Sequence, residues 1–153
     1  MIQQNRVPNS AFAAAGGAPS ISANRISYIL GLTGCSMTID TACSSSLVAA
    51  DAAMKSLWCR ASDSALFGGT NLLLSVDTYM TSASSRFLSW DGRCKTYDAT
   101  ADGYCRGEGV GLALLVPSPD ELVVSLGTLR GAGVNQDGRS ASLTAPNGLS
   151  QQA

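Results

Sequence analysis

Asp40-Thr41-Ala42-Cys43-Ser44-Ser45-Ser46-Leu47 places one cysteine between a short β-prone run, Met37-Thr38-Ile39, and the start of a long amphipathic helical pattern. A thiol at a helix N-terminus lies among unpaired backbone N–H groups and at the positive end of the helix dipole, and both favour thiolate over thiol. A sharp strand-to-helix turn also lifts the side chain clear of the backbone, the logic of the nucleophile elbow. The small neighbours Ala42 and Ser44 to Ser46 leave room for an acyl group. Cys43 is therefore the expected catalytic nucleophile.

Downstream, Leu47, Ala50, Met54, Leu57 and Trp58 recur at helical spacing, which predicts a helix over Ser44 to Arg60 with these residues buried. Asp51 and Lys55 form an i,i+4 pair on the opposite face, and Arg60 suits the negative end of the dipole. Upstream, Ile21 to Leu30 predicts a short helix buried through Ile21, Ile26, Tyr28, Ile29 and Leu30; Gly31 and Gly34 end it before a strand at Ser36 to Ile39. Met1 to Ser20, with Pro8, Gly16, Gly17 and Pro19, reads as irregular structure or a helix end followed by a loop. Ser64 to Leu74 reads as a buried strand with a close approach at Gly68-Gly69. Asp77 to Ser85 reads as a helix with Asp77 near its cap, and Asp91-Gly92 as a turn. Gly109 to Val116 and Leu122 to Val134 are strand candidates joined by the corner Pro117-Ser118-Pro119-Asp120. The mixture predicts an α/β fold.

The 153 residues are 45% hydrophobic and 14% charged, with a formal net charge of -1. Low charge predicts much buried surface. Near neutrality without a cluster of Lys or Arg argues against nucleic-acid binding or a polybasic membrane patch. No run reaches transmembrane length, and Met1 to Ser20 lacks a basic region followed by a sustained apolar core, so the expected location is the cytoplasm. The five cysteines, Cys35, Cys43, Cys59, Cys94 and Cys105, contain no close C-x-x-C pair, and the sequence has no histidine. A metal site is not expected, and the thiols are read as reduced, one reactive and four packing residues.

The run around Cys43 resembles the active-site segment of β-ketoacyl synthases in the form found in type I modular polyketide synthases. Matching segments follow in the family's order: Ser22 to Tyr28, Ser36 to Leu47, Gly68 to Asn71, Leu88 to Cys94, Asp98 to Gly111 (DATADGYCRGEGVG), Val134 to Ser140 (VNQDGRS) and Leu143 to Gly148 (LTAPNG). The resemblance covers residues 20–148 and identifies residues 1–153 as a partial β-ketoacyl synthase N-terminal domain. It implies most of the N-terminal half of a thiolase-like layered fold. VNQDGRS, TAPNG and the triple serine favour the polyketide branch over fatty acid enzymes. Retention of Cys43 favours a condensing synthase over relatives with glutamine there.

The resemblance implies that Cys43 takes an acyl chain from a phosphopantetheine thioester on an acyl carrier protein, for decarboxylative Claisen condensation with a malonyl-type extender. Holding the chain as an enzyme thioester splits a difficult step in two. The Cys43 backbone N–H would supply one oxyanion donor. No tightly bound cofactor is implied, and the full-length domain would be a homodimer, with the strand around Ala65 to Leu74 as a candidate pairing edge. The family uses two histidines for decarboxylation and enolate stabilisation, in motifs that follow the Leu143 to Gly148 segment, and this chain has neither. It also carries Trp90 where proline is common, and its Val116 to Val123 segment is short. These two departures affect a loop and a connection and leave the elbow intact; without the histidines, condensation by this chain alone is not expected. The alternative is a catalytically inert pseudo-subunit or interface fragment; a thiol hydrolase or protease would equally lack its base.

Arg106-Gly107-Glu108-Gly109-Val110-Gly111 fits neither G-x-G-x-x-G nor a Walker A spacing, so Arg106 and Glu108 are read as a structural pair. Asn135 to Arg139 reads as a turn closing a strand, with bordering the substrate entrance as the alternative. The Ser44 to Ser46 hydroxyls either cap the helix or line the acyl pocket, capping being the cheaper reading.

Overall fold

Helix ends decide where this chain bends, and three of them close alike. In the computed structural model, which describes residues 11–117 and 124–152, α1 (Ala13–Gly17), α2 (Ser20–Leu30), α3 (Ser45–Trp58) and α4 (Val76–Ser84) are the helices. After α2 the chain turns through Gly31 at φ 67, and the Leu32 amide reaches back to the Ser27 carbonyl at 2.9 Å. After α3, Arg60 takes φ 53 while Ala61 N–H donates to Ser56 O; after α4, Arg86 takes φ 56 while Phe87 N–H donates to Ser82 O. These are Schellman closures. Glycine announces the first in the sequence, whereas arginine stands in the left-handed position of the other two.

The chain divides into two compact units, Met1–Ala65 with Leu115–Ala153, and Leu66–Leu114. In the first, the Arg25 guanidinium donates to the Ala15 carbonyl at 2.7 Å, tying α2 to the end of α1. Thr38 Oγ1 donates to Pro19 O at 2.8 Å and Ser27 donates to Ser36 at 3.1 Å, which fastens the segment before Cys43 to both ends of α2. That segment is extended but is no strand, contrary to the reading of Ser36 to Ile39. A strand needs a ladder partner, and among the described residues the sheet pairs only β1 (Ala65–Asn71) with β2 (Gly109–Leu115). For the same reason residues 124–134 form no strand; Leu122 and Val123, like Ser118 to Asp120 of the expected corner, lie outside the described residues. So do the first ten residues of the Met1 to Ser20 stretch, whose remainder holds α1 and a short link to α2.

Burial differs from the helical-wheel reading. On α3 the buried residues are Ala50, Asp51 and Met54, while Leu47 and Trp58 are 73% and 64% exposed. Asp51 thus lies on the inner face rather than opposite it. Its charge is compensated by Lys55, whose Nζ lies 2.8 Å from Oδ2 and reaches out toward solvent. On α2, Tyr28, Ile29 and Leu30 are exposed, leaving Ile21 and Ile26 as its half-buried apolar contacts. Ala50 and Met54 are the only buried hydrophobic residues among those described, so the expectation of much buried surface is not met within this chain.

In the second unit, Gly68 lies against Gly111 and Leu112, and the Asn71 amide donates to Gly107 O. Partner numbers fall as β1 advances, which is an antiparallel pairing. β1 is half-exposed rather than buried, with its outer side open. The close approach expected at the glycine pair is real at Gly68: a Cβ there would strike the Gly111 carbonyl oxygen and lie 2.6 Å from Leu112 Cδ2. α4 starts at Val76, one residue from the expected boundary, and the hydroxyl of its N-cap Ser75 accepts from Asp77 N–H at 3.1 Å.

A polar knot closes the unit. The Ser89 hydroxyl lies 2.8 Å from Asp91 and 2.7 Å from Asp102, and Lys95 Nζ bridges the same two carboxylates at 3.1 and 3.3 Å. Asp91-Gly92 forms the expected turn, with Gly92 at φ 70. The Ser89 hydroxyl and then Lys95 hold Asp91 below its ordinary pKa; Ser89 and then the Trp90 amide hold Asp102 low. Asp91 foremost, then Asp102, raises Lys95.

Replacing Gly68 by valine should cost about 1–3 kcal/mol in urea unfolding, because backbone rather than a flexible side chain must give way. Gly107→Ala, where a Cβ meets nothing within 4 Å, should be close to neutral. For the knot, both carboxyl pKa values are lowered on folding, so their contribution is complete above 3.8 and disappears as the pH falls through the lowered values. Lys95 is raised, so its contribution is complete below 10.5 and disappears as the pH rises through the raised value. Protection of the Trp90 amide against hydrogen exchange, corrected for intrinsic rates, should therefore stay flat between about pH 5 and 9 and fall on both sides. A step inside that range would contradict the assignment.

Candidate active site

Cys43 is the middle residue of a single 3-10 turn, Ala42–Ser44, that feeds directly into α3. The residue before it is strained: Ala42 has φ 54, the left-handed region, which costs a Cβ-bearing residue about 1–2 kcal/mol. Its neighbours hold it there. Asp40 Oδ1 accepts from the Ala42 amide at 3.0 Å, an Asx turn. The Ser45 hydroxyl accepts from the Thr41 amide at 2.9 Å and donates to the Ala42 carbonyl at 2.7 Å. The Ser44 and Thr41 hydroxyls lie 2.9 Å apart, and Ser44 also reaches the Thr41 carbonyl at 3.0 Å. At about 0.5–1.5 kcal/mol each, such bonds together offset the strain at Ala42.

These hydroxyls therefore have a different task from the expected one. Ser44 is the N-cap of α3 but makes no side-chain bond to the helix amides. Ser44 and Ser45 bond backward into the turn instead, so the serines fix the reversal rather than cap the helix. The consequence reaches the thiol. Cys43 is exposed, and among the described residues neither its amide nor its Sγ has a hydrogen-bond partner. A free sulfur beside a free amide, at the start of a 14-residue helix, is an arrangement that can attack a carbonyl carbon and receive the resulting oxyanion. Asp40 and Thr41 carry no role in the sequence reading, although an aspartate two residues before an amide donor is the signature of an Asx turn.

The other motif residues are arranged as follows. Arg106 and Glu108 do not pair with each other. The Arg106 guanidinium donates to the Ser82 hydroxyl on α4 at 3.1 Å and lies 5.5 Å from the Tyr79 ring centre, while Glu108 accepts from the Leu73 amide. Residues two apart in an extended run share a face, yet Arg106 reaches α4 and Glu108 the end of β1. Gly138 takes the turn conformation expected of Asn135 to Arg139, with φ 71, though no strand precedes it. Asp137 then gathers the following segment: its carboxylate accepts from the Asn147 amide at 3.2 Å and from Gln151 at 2.8 Å. Arg139, Pro146, Asn147, Leu149 and Gln152 line an open hollow there, which does not include Cys43. Cys35, Cys59, Cys94 and Cys105 are exposed rather than packing residues. Among the described residues no three of His, Cys, Asp and Glu gather as metal ligands, and no helix is long and apolar enough to cross a membrane.

Comparison with known proteins places this geometry in a family. Residues 2–121 match the family described as Beta-ketoacyl synthase, N-terminal domain. A phenolphthiocerol/phthiocerol polyketide synthase of Mycobacterium tuberculosis is 49% identical over 146 residues, covering 94% of this chain and 7% of the relative. A partially reducing polyketide synthase of Menisporopsis theobromae is 43% identical, covering 93% of this chain and 6% of its own length. Among solved structures, the ketosynthase from module 6 of the bacillaene synthase of Bacillus subtilis superposes with a TM-score of 0.77 at 36% identity, over 90% of this chain and 25% of that one. The chain thus spans a small part of the length of the relatives it matches. Its fold is the partial thiolase-like α/β arrangement expected from the sequence, and the chain belongs to the β-ketoacyl synthase family, homologous to the ketosynthases of polyketide synthases.

Proposed function

We propose that Cys43 is the acyl-accepting nucleophile of a polyketide ketosynthase domain of which residues 1–153 form part of the N-terminal half. The observation that carries the reading is the exposed, unpartnered thiol on a pinned left-handed turn at the head of α3. The Cys43 sulfur attacks the thioester carbonyl of an acyl chain on the phosphopantetheine arm of an acyl carrier protein. The tetrahedral oxyanion takes a hydrogen bond from the Cys43 amide, and collapse expels the phosphopantetheine thiolate, which takes up a proton. The product is an acyl thioester on Cys43.

Condensation is a separate matter. Decarboxylating a malonyl-type extender and stabilising its enolate call for proton-transfer and hydrogen-bonding groups, and the chain has no histidine. Partner residues from further sequence would supply them. Exposed Tyr28, Ile29, Leu47, Trp58, Val110 and Leu112 support that reading, since they offer apolar surface of the kind a larger domain covers. Docking to a carrier protein, a homodimeric complete domain, with the β1 edge as a candidate contact, and a cytoplasmic setting belong to the same proposal.

Incubating the chain with a medium-chain acyl pantetheine thioester, followed by intact-mass and peptide analysis, tests the first step. One acyl group is expected on the peptide containing Cys43, absent in Cys43→Ala, with no β-ketoacyl product on adding a malonyl thioester. Acylation spread evenly over the five cysteines, or none at all, would instead favour the inert interface fragment. Ser45→Ala removes the two bonds that Ser45 makes to Thr41 and Ala42, and should slow acylation of Cys43 on the order of tenfold without abolishing it.

A further inference from the structure

Cys94 and Cys105 lie together, outside the site assigned to Cys43. Cys94 Sγ accepts from the Cys105 amide at 3.3 Å and lies 3.9 Å from the Cys105 carbonyl oxygen. The Cys105 amide nitrogen is one backbone bond of about 1.5 Å from its own Cα, which puts Cys94 Sγ within about 4.8 Å of that Cα. The pair is therefore near the Cα separation, roughly 4.4–6.8 Å, that a disulfide spans. Cys105 Sγ now turns to the Arg106 carbonyl at 3.5 Å, and rotation about its Cα–Cβ bond frees it for Cys94. Both thiols are exposed.

The segment between them is already closed by other bonds. Lys95, next to Cys94, is 3.3 Å from Asp102, and Tyr104, next to Cys105, bridges Leu88 through its amide to Phe87 O at 2.9 Å and its carbonyl to Ser89 N at 3.0 Å. The ends of the loop are held, so the entropy of bringing the two sulfurs together is largely spent before any covalent bond forms.

We propose that Cys94 and Cys105 form a dithiol modification site that hydroperoxides convert to a disulfide. One thiol attacks the peroxide, breaking the O–O bond to give a sulfenic acid and one water. The second thiol attacks the sulfenic sulfur, forming the S–S bond and releasing a second water. Two thiols are oxidised by two electrons as one hydrogen peroxide is reduced to two waters. The bond locks the Ser89, Asp91, Lys95 and Asp102 knot, and a thiol reductant reverses it.

The test treats the native chain with equimolar hydrogen peroxide, blocks remaining thiols and maps a non-reduced tryptic digest. The expected product is Cys94-Lys95 joined to the peptide Thr96 to Arg106 and two hydrogens lighter than the sum, at least tenfold more abundant than a Cys35–Cys43 pair. A structureless chain would slightly favour Cys35–Cys43, about 1.6-fold, because its loop is shorter. Equal or greater yield of Cys35–Cys43 or of any other pair, or oxidation that stops at single sulfenic acids, would overturn the proposal.

Discussion

A left-handed alanine holds the functional part of this chain in place. Ala42 at φ 54 is unfavourable by itself, and persists because Asp40, Thr41 and Ser45 occupy the hydrogen-bonding groups on either side of it. Reversing the backbone at that residue lets an extended segment run straight into a 14-residue helix within a single 3-10 turn. It also leaves the next amide and the next side chain, those of Cys43, without a hydrogen-bond partner among the described residues. Local strain and chemical availability have the same origin here.

Around this turn, local bonds do more than burial. Arg25 to Ala15, Thr38 to Pro19 and Asp51 to Lys55 fix the first unit, and the antiparallel strand pair with the Ser89 to Asp102 knot fixes the second. Apolar contacts are few because the faces that would make them, such as Leu47 and Trp58 of α3, are open. The chain spans only a small part of the polyketide synthases and ketosynthase structures it matches, and its elements keep the amphipathic pattern of a layered fold although these faces are open.

Much of this was legible in the residues. Periodicity found α2 and α3, Asp77 signalled the start of α4, and the glycine pair marked β1 and its close approach. The Cys43 segment carried the family through its flanking motifs. What the residues hid follows from missing partners. Ser36 to Ile39 is extended without a neighbouring strand to pair with, so strand propensity alone misled. The wheel of α3 put Asp51 outside because a charged residue is ordinarily solvated, yet Lys55 lets it sit inside. Arg60 and Arg86 end helices in a conformation usually signalled by glycine, and Ala42 bends the elbow without any residue type that announces it.

All five cysteines are exposed, so exposure cannot rank their reactivity; the elbow can. Site-resolved competition with limiting iodoacetamide on the native chain measures that ranking directly. Cys43 should be alkylated first, at least about tenfold faster than Cys35, Cys59, Cys94 or Cys105. Any of those four reacting as fast as Cys43 would contradict the elbow's role in activating the thiol.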